Sequence, residues 1–171
     1  MDIESNRVLL EMKQTGLIQR VIEAVGLNYG MTKGTFTPSE KSPLFKDDDG
    51  EPPSGMLSYI IVVGMLLYLS DYTSIYIDFT VNLCERYMFF PNISHELALK
   101  SLSLYLKHTQ DRGIVLDPNS DIFKVDAYLD ADFAVMYGHE NPNNPACAKS
   151  FTGFIITFAD CPFFVDLKIA N

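Results

Sequence analysis

Three aspartates interrupt an apolar run in VDAYLDADFAVMYG, residues 125–138. Read as a strand, Val125, Ala127, Leu129, Ala131 and Phe133 point one way, and Asp126, Tyr128, Asp130 and Asp132 the other. Carboxylates on one strand face are the raw material of a divalent-cation site. Same-face residues two apart on a strand are separated by roughly 6.6 Å, however, too far for Asp130 and Asp132 to chelate one ion tightly alone. A metal site would need another carboxylate from a different element, with Mg²⁺ keeping several waters. The alternative is a solvated strand face, and spacing alone leaves both open.

Other reactive groupings fail on register. KDDDGE (46–51) has the look of a calcium loop, but with Gly50 at the sixth position, Phe45 stands at the first and Met56 at the twelfth, where a Glu is needed. A solvated loop is the better reading. His95, His108 and His139 cluster neither with one another nor with Cys84, Cys147 and Cys161 at zinc-like spacing. YIDF (76–79) lacks the second adjacent carboxylate of a polymerase Tyr-x-Asp-Asp turn, because Phe79 takes its place. No glycine-rich phosphate loop or nucleophile elbow occurs.

The elements that must position these residues follow from hydrophobic periodicity. RVLLEMK (7–13) reads as a strand. Thr15 offers an N-cap to a helix in which Leu17, Ile18, Val21, Ile22 and Val25 recur until Gly26. Residues 28–54, rich in Gly, Pro, Ser and charge, read as a linker or loop. Three helices are predicted next, over 56–69, 74–89 and 94–110, the last capped by Ser94. GIVL (113–116), FKVDAYLDADFAV, SFTGFIITFAD (150–160) and FFVDLKI read as strands, with Cys161-Pro162 as a turn.

Composition bounds the function. With 171 residues, 47% of them hydrophobic, the chain can bury a core. A net charge of −9 argues against autonomous nucleic-acid binding, which needs a positive face. Three cysteines without a CxxC pair, and a start lacking a signal-peptide n-region, predict an intracellular, cytoplasmic setting. The most apolar stretch, 55–70, is 16 residues long, short of the roughly 18–20 of a membrane span, and predicts a buried core helix instead.

LIQRVIEAVGL (17–27), YIIVVGMLLYLS (59–70), SHELALKSLSLYLKHTQDRGIVL (94–116), DAYLDADFA (126–134) and AKSFTGFIITFADCP (148–162) occur in this order. Together they resemble the Pol polyprotein of copia-type retrotransposons, from the end of the reverse transcriptase into the start of its ribonuclease H. The resemblance implies an α/β (α+β) fold in four parts: a palm-like β–α unit (1–27), a linker (28–54), a helical thumb- or connection-like region (55–116) and an incomplete ribonuclease H-like sheet (117–171). In the intact family the helical region grips template–primer duplex, inside a virus-like particle. YLDADFA is similar to the first ribonuclease H strand, whose first Asp is a metal ligand. That role carries over to Asp130, with Asp132 as its neighbour. The implied reaction is Mg²⁺-dependent, two-metal hydrolysis of RNA in an RNA–DNA hybrid.

The departures are as informative. After CPFFV the family reads into a Trp/Ser/Lys-containing strand and a helix with a catalytic Glu, where this sequence has VDLKIAN. The family's Arg-Pro-Asp after LLYLS is replaced by Ser74-Ile75-Tyr76. The expectation is a catalytically inactive fragment with Asp130 as a vestigial catalytic and metal-binding residue. The alternative is a non-catalytic nucleic-acid-binding or assembly module, one that self-associates through an open sheet edge.

Overall fold

A computed structural model of the chain describes residues 9–27, 35–39, 44–118, 124–133, 138, 143 and 148–169. In chain order the elements are β1 (Leu10–Met12), α1 (Thr15–Ala24), α2 (Tyr59–Tyr72), α3 (Asp78–Glu85), α4 (Ile93–His108), β2 (Ile114–Leu116), β3 (Val125–Asp132), β4 (Phe151–Phe158) and β5 (Cys161–Ile169). A 3-10 turn, Ile75–Ile77, leads into α3. The architecture is mixed α+β with two small sheets. β1 pairs antiparallel with β2, and β3-β4-β5 form an antiparallel meander.

Apolar residues at helical spacing supply the core. Ile18, Val21 and Ile22 of α1, Val62, Leu66 and Leu69 of α2, and Leu99, Leu102 and Leu106 of α4 are all buried in one cluster. Each buried leucine contributes roughly 1.5–3 kcal/mol. The β1–β2 pair closes this body by joining the segment before α1 to the one after α4. α2 was expected to be a buried core helix, and one of its faces is. Ile60, Ile61, Tyr68 and Tyr72, on its other side, are each more than half exposed. No helix among the described residues is long and apolar enough to cross a membrane.

Several local expectations change. The helix predicted over 74–89 is a 3-10 turn followed by eight helical residues. Ile75, Tyr76 and Ile77 are β-branched or aromatic, costly in a helix's first turn, and packing uses them differently. Ile77 is buried in the core, and Tyr76 meets Tyr105 edge-on at 6.0 Å. Thr15 is the first residue of α1 rather than its cap; Gln14 holds that place and makes no side-chain cap bond. The turn after β4 is Ala159-Asp160, both at positive φ (48° and 65°), the geometry of a tight hairpin. Cys161 and Pro162 therefore lie inside β5, an edge strand that tolerates a proline.

The cap of α4 is Asn92 rather than Ser94, and it organises the loop before it. The Asn92 side chain accepts from the backbone of His95 while His95 Nδ1 accepts the Asn92 N–H at 2.7 Å, a reciprocal capping box. Asn92 Nδ2 also donates to the Asp47 carbonyl. Ser94 Oγ donates to Asp47 Oδ2 at 3.0 Å, Ile93 N to the Glu51 carbonyl at 3.0 Å, and Ser54 N to Glu96 Oε1 at 3.1 Å. Residues 44–54 thus carry no helix or strand, yet they are strapped across the N-terminus of α4, and the Asp47 carboxylate lies where the helix dipole favours it. His95 is buried, stacked on Tyr87 at 4.1 Å, with Nε2 at 3.1 Å from the Phe45 carbonyl. The neutral ring protonated on Nε2 satisfies both bonds.

Burial lowers the His95 pKa, outweighing the raising effects of the Phe45 carbonyl and Asp47. The unfolded chain takes up a proton near pH ~6.5 while the folded chain resists it. Stabilisation by neutral His95 is therefore full above about pH 6.5 and is lost as pH falls through the lower folded-state value. The expected outcome is a gap in urea midpoint between wild type and His95→Gln that narrows between about pH 7 and pH 5. Asn92→Ala should cost about 1–2 kcal/mol in the same unfolding measurement, since it removes both the cap and a strap bond.

Candidate functional site on the three-stranded sheet

The antiparallel register decides what surrounds each aspartate. Asp130 pairs with Gly153, which pairs in turn with Leu167, while Leu129 pairs with Phe154. Cross-strand partners share a face. Asp126, Tyr128, Asp130 and Asp132 therefore lie on one face with Phe151, Ile155, Val165 and Leu167. Val125, Ala127, Leu129 and Ala131 share the other with Phe154, Ile156 and Phe164.

Phe151 fixes which face meets the helices. It is buried, with its ring 5.5 Å from that of Phe79 on α3, and it clusters with Leu83. The aspartate-bearing face is thus the one turned toward the helical body. Leu129, on the opposite face, is 78% exposed.

A cleft of about 290 Å³ lies between α3, its leading turn and this face, lined by Ile75, Tyr76, Phe79, Tyr128, Asp130 and Leu167 among others. Asp130 itself is exposed, an acid at the rim of an apolar cleft. A Cβ at Gly153 opposite it would meet Leu167 Cδ1 at 2.8 Å, so the leucine side chain would have to move aside. Asp132 is exposed and faces Phe151 across the ladder. Asp126 is half-buried and paired with Lys124 at 2.8 Å, and the hydrogen bond raises the lysine's pKa.

The expected Mg²⁺ pair finds a poor donor set here. The cross-strand positions facing Asp130 are Gly153 and Leu167, which bring no side-chain oxygen. Among the described residues no group of three or more His, Cys, Asp or Glu side chains is arranged to hold a metal ion. A hard cation taking six or more oxygens does not fit this arrangement.

Sequence reasoning passed over a second set of carboxylates. A cleft of about 580 Å³ runs between the end of α2, α3 and the β5 edge, and Asp71, Asp78, Glu85 and Asp166 line it. Asp78 is pushed up to about 6, chiefly by burial and further by the Asp71 and Asp166 charges, while hydrogen bonds from Ser70 and Asn82 act the other way. Asn82 Nδ2 donates to Asp78 Oδ1 at 3.1 Å. Asp78 is the acid of YIDF, and nothing local in the sequence places Asp166 near it. Deeper in the body, Tyr59 donates to the Cys84 carbonyl at 3.0 Å, and burial pushes the Cys84 thiol up to about 12, far from reactive.

Over 102 residues, 60% of its length, the chain is 34% identical to the retrovirus-related Pol polyprotein from transposon RE2 of Arabidopsis thaliana. It is 33% identical over 102 residues to the one from transposon RE1 of the same plant. Across that stretch the chain is a distant homologue of Pol polyproteins from plant copia-type transposons. It spans about 7% of the length of these relatives. No protein-family model and no solved structure matches it.

Asp78 gives the helix–sheet junction a pH dependence opposite in sign to that of His95. Its folded pKa of about 6 lies above the unfolded carboxyl value of 3.8, so the folded chain binds the extra proton between them. The penalty of the charged form is present above about pH 6 and relieved as pH falls toward 4. Asp78→Asn should therefore raise the urea midpoint at pH ~7.5 by the equivalent of about 1 kcal/mol, a gain that shrinks toward zero near pH ~4.

Proposed function

We propose that the chain derives from the region of a copia-type Pol polyprotein where reverse transcriptase runs into ribonuclease H, and that in this form it does not hydrolyse RNA–DNA hybrids. The ordered motif segments and the partial homology to plant Pol polyproteins support the origin. In this reading α1 ends a palm-like unit, α2 to α4 correspond to the thumb or connection, and β3 to β5 are ribonuclease H-like strands with Asp130 as the vestigial acid. One observation carries the loss of activity. The cross-strand positions opposite Asp130 are Gly153 and Leu167, which bring no carboxylate, where two-metal hydrolysis requires several carboxylates around two ions.

Polymerase chemistry is likewise not assigned, since YIDF offers Asp78 alone and places it at the start of α3 rather than in a hairpin. RNA–DNA hybrid and template–primer duplex are the partners of the intact family, and an intracellular location follows from that origin.

A second reading, an assembly module, is favoured by the strand order β3-β4-β5, which leaves β3 and β5 as the outer strands of the sheet.

Incubating the purified chain with an RNA–DNA hybrid and Mg²⁺ or Mn²⁺ tests the first reading. The expected outcome is no cleavage above a protein-free control, with Asp130→Asn indistinguishable from wild type. Cleavage that disappears in Asp130→Asn would establish a working ribonuclease and overturn it.

A further inference from the structure

The cleft between α3 and the β3–β4–β5 sheet has mostly apolar walls and only acidic charges. Phe79 lines it from the helix and Tyr128 from the sheet, with Ile75, Tyr76, Ile155 and Leu167 around them. Phe79 is 41% exposed, Tyr128 61% and Ile155 38%, so the protein itself leaves these surfaces open. The charged residues that line the cleft are Asp78, Asp130 and Asp166, and no Lys, Arg or His among the described residues joins them. The larger cleft that shares Asp78 and Asp166 adds Asp71 and Glu85, again without a cationic residue among those described.

Asp78 makes this arrangement costly. Burial and the Asp71 and Asp166 charges oppose its ionisation, and the hydrogen bonds from Ser70 and Asn82 offset only part of that. Either a proton or a cation seated beside it relieves a carboxylate so placed.

The walls select the kind of cation. A hard metal ion needs six or more oxygens, and here it would meet mainly carbon. An ammonium group on an apolar body suits both parts of the cleft. Its carbon leaves water against Phe79, Tyr128 and Ile155, the aromatic faces attract its charge, and the carboxylates complement it. The Tyr76 hydroxyl, buried without a hydrogen-bond partner among the described residues, is a further acceptor for an N–H. At about 290 Å³ the cleft stands at the small end of ligand sites, which favours a single ring or short branched chain over a peptide.

We propose that this cleft is a binding site for a small organic ammonium ion, with its apolar body against Phe79, Tyr128 and Ile155 and its charge among the Asp78, Asp130 and Asp166 carboxylates. The site requires no ribonuclease activity and does not depend on descent from a Pol polyprotein.

Amide chemical shifts of the isotope-labelled chain test it, with benzylamine as the probe. At pH ~7.5 benzylamine should bind saturably with a Kd of about a millimolar. The shifted amides should lie in 75–79, 128–130 and 153–155, around the cleft. Benzyl alcohol, similar in size but uncharged, should bind about tenfold more weakly, as should methylamine, which has the charge without the ring. Benzoate should not bind.

Benzylamine stays protonated between pH ~5 and pH ~7.5, so any change in affinity there belongs to the protein. Its affinity should fall about threefold or more on acidification, as Asp78, pushed up to about 6, takes a proton instead. Asp78→Asn should abolish that pH dependence. Asp130→Asn, at an exposed position, should weaken binding about threefold or more, whereas Asp48→Asn, which removes the same charge from the 44–54 loop, should not. Absence of saturable binding, equal affinity for benzylamine and benzyl alcohol, shifts spread over the acidic surface, or binding untouched by both Asp78→Asn and Asp130→Asn would each overturn the proposal.

Discussion

The seating of Phe151 against Phe79 and Leu83 is the contact on which the rest of the sheet's chemistry depends. A three-stranded meander has two faces, and burying one phenylalanine decides which of them the helices cover. Because Phe151 stands opposite Asp132 in the ladder, the face it pulls inward is the one bearing Asp126, Asp130 and Asp132. The carboxylates are brought toward an apolar cleft and the regular apolar row of β3 is left in water. A one-residue shift in register would have reversed both outcomes.

Acidic residues gather on both sides of that junction. Asp78 opens α3 within reach of Asp71 and Asp166, and burial keeps its carboxyl reluctant to ionise. In the helical body Leu66, Leu69, Leu99, Leu102 and Leu106 are fully buried, and the buried His95 is neutral, stacked and bonded at both nitrogens. The stable part of the molecule is thus the helical cluster with its loop strap, and the sheet is attached to it by a few aromatic and aliphatic contacts crossed by like charges.

Much of this was legible in the residues. The apolar spacing in 17–25, 56–69 and 94–110 located three helices to within a few residues, and alternation located all three strands of the larger sheet. Legibility failed where a residue's role depends on a distant neighbour. Ser94 and Asn92 are equally good caps on paper, but Asp47 engages the Ser94 hydroxyl and the His95 ring reaches back to Asn92. KDDDGE reads as solvated charge, yet the bonds from α4 hold it in place. Ala159-Asp160 carries no glycine to announce a hairpin, and Cys161-Pro162 looked more like one.

Period-two alternation by itself determined that 125–132 is a strand and that its aspartates share a face, because side chains alternate strictly along an extended backbone. Helical periodicity likewise determined the core, since one stripe of each helix must leave water. Only the tertiary structure decided what those aspartates see. Gly153 and Leu167 are brought opposite Asp130 by hydrogen-bonded register, and Phe79 reaches the sheet from a helix far away in sequence. A carboxylate becomes a metal ligand through the oxygens around it, and no local pattern specifies which residues a fold will bring across a sheet.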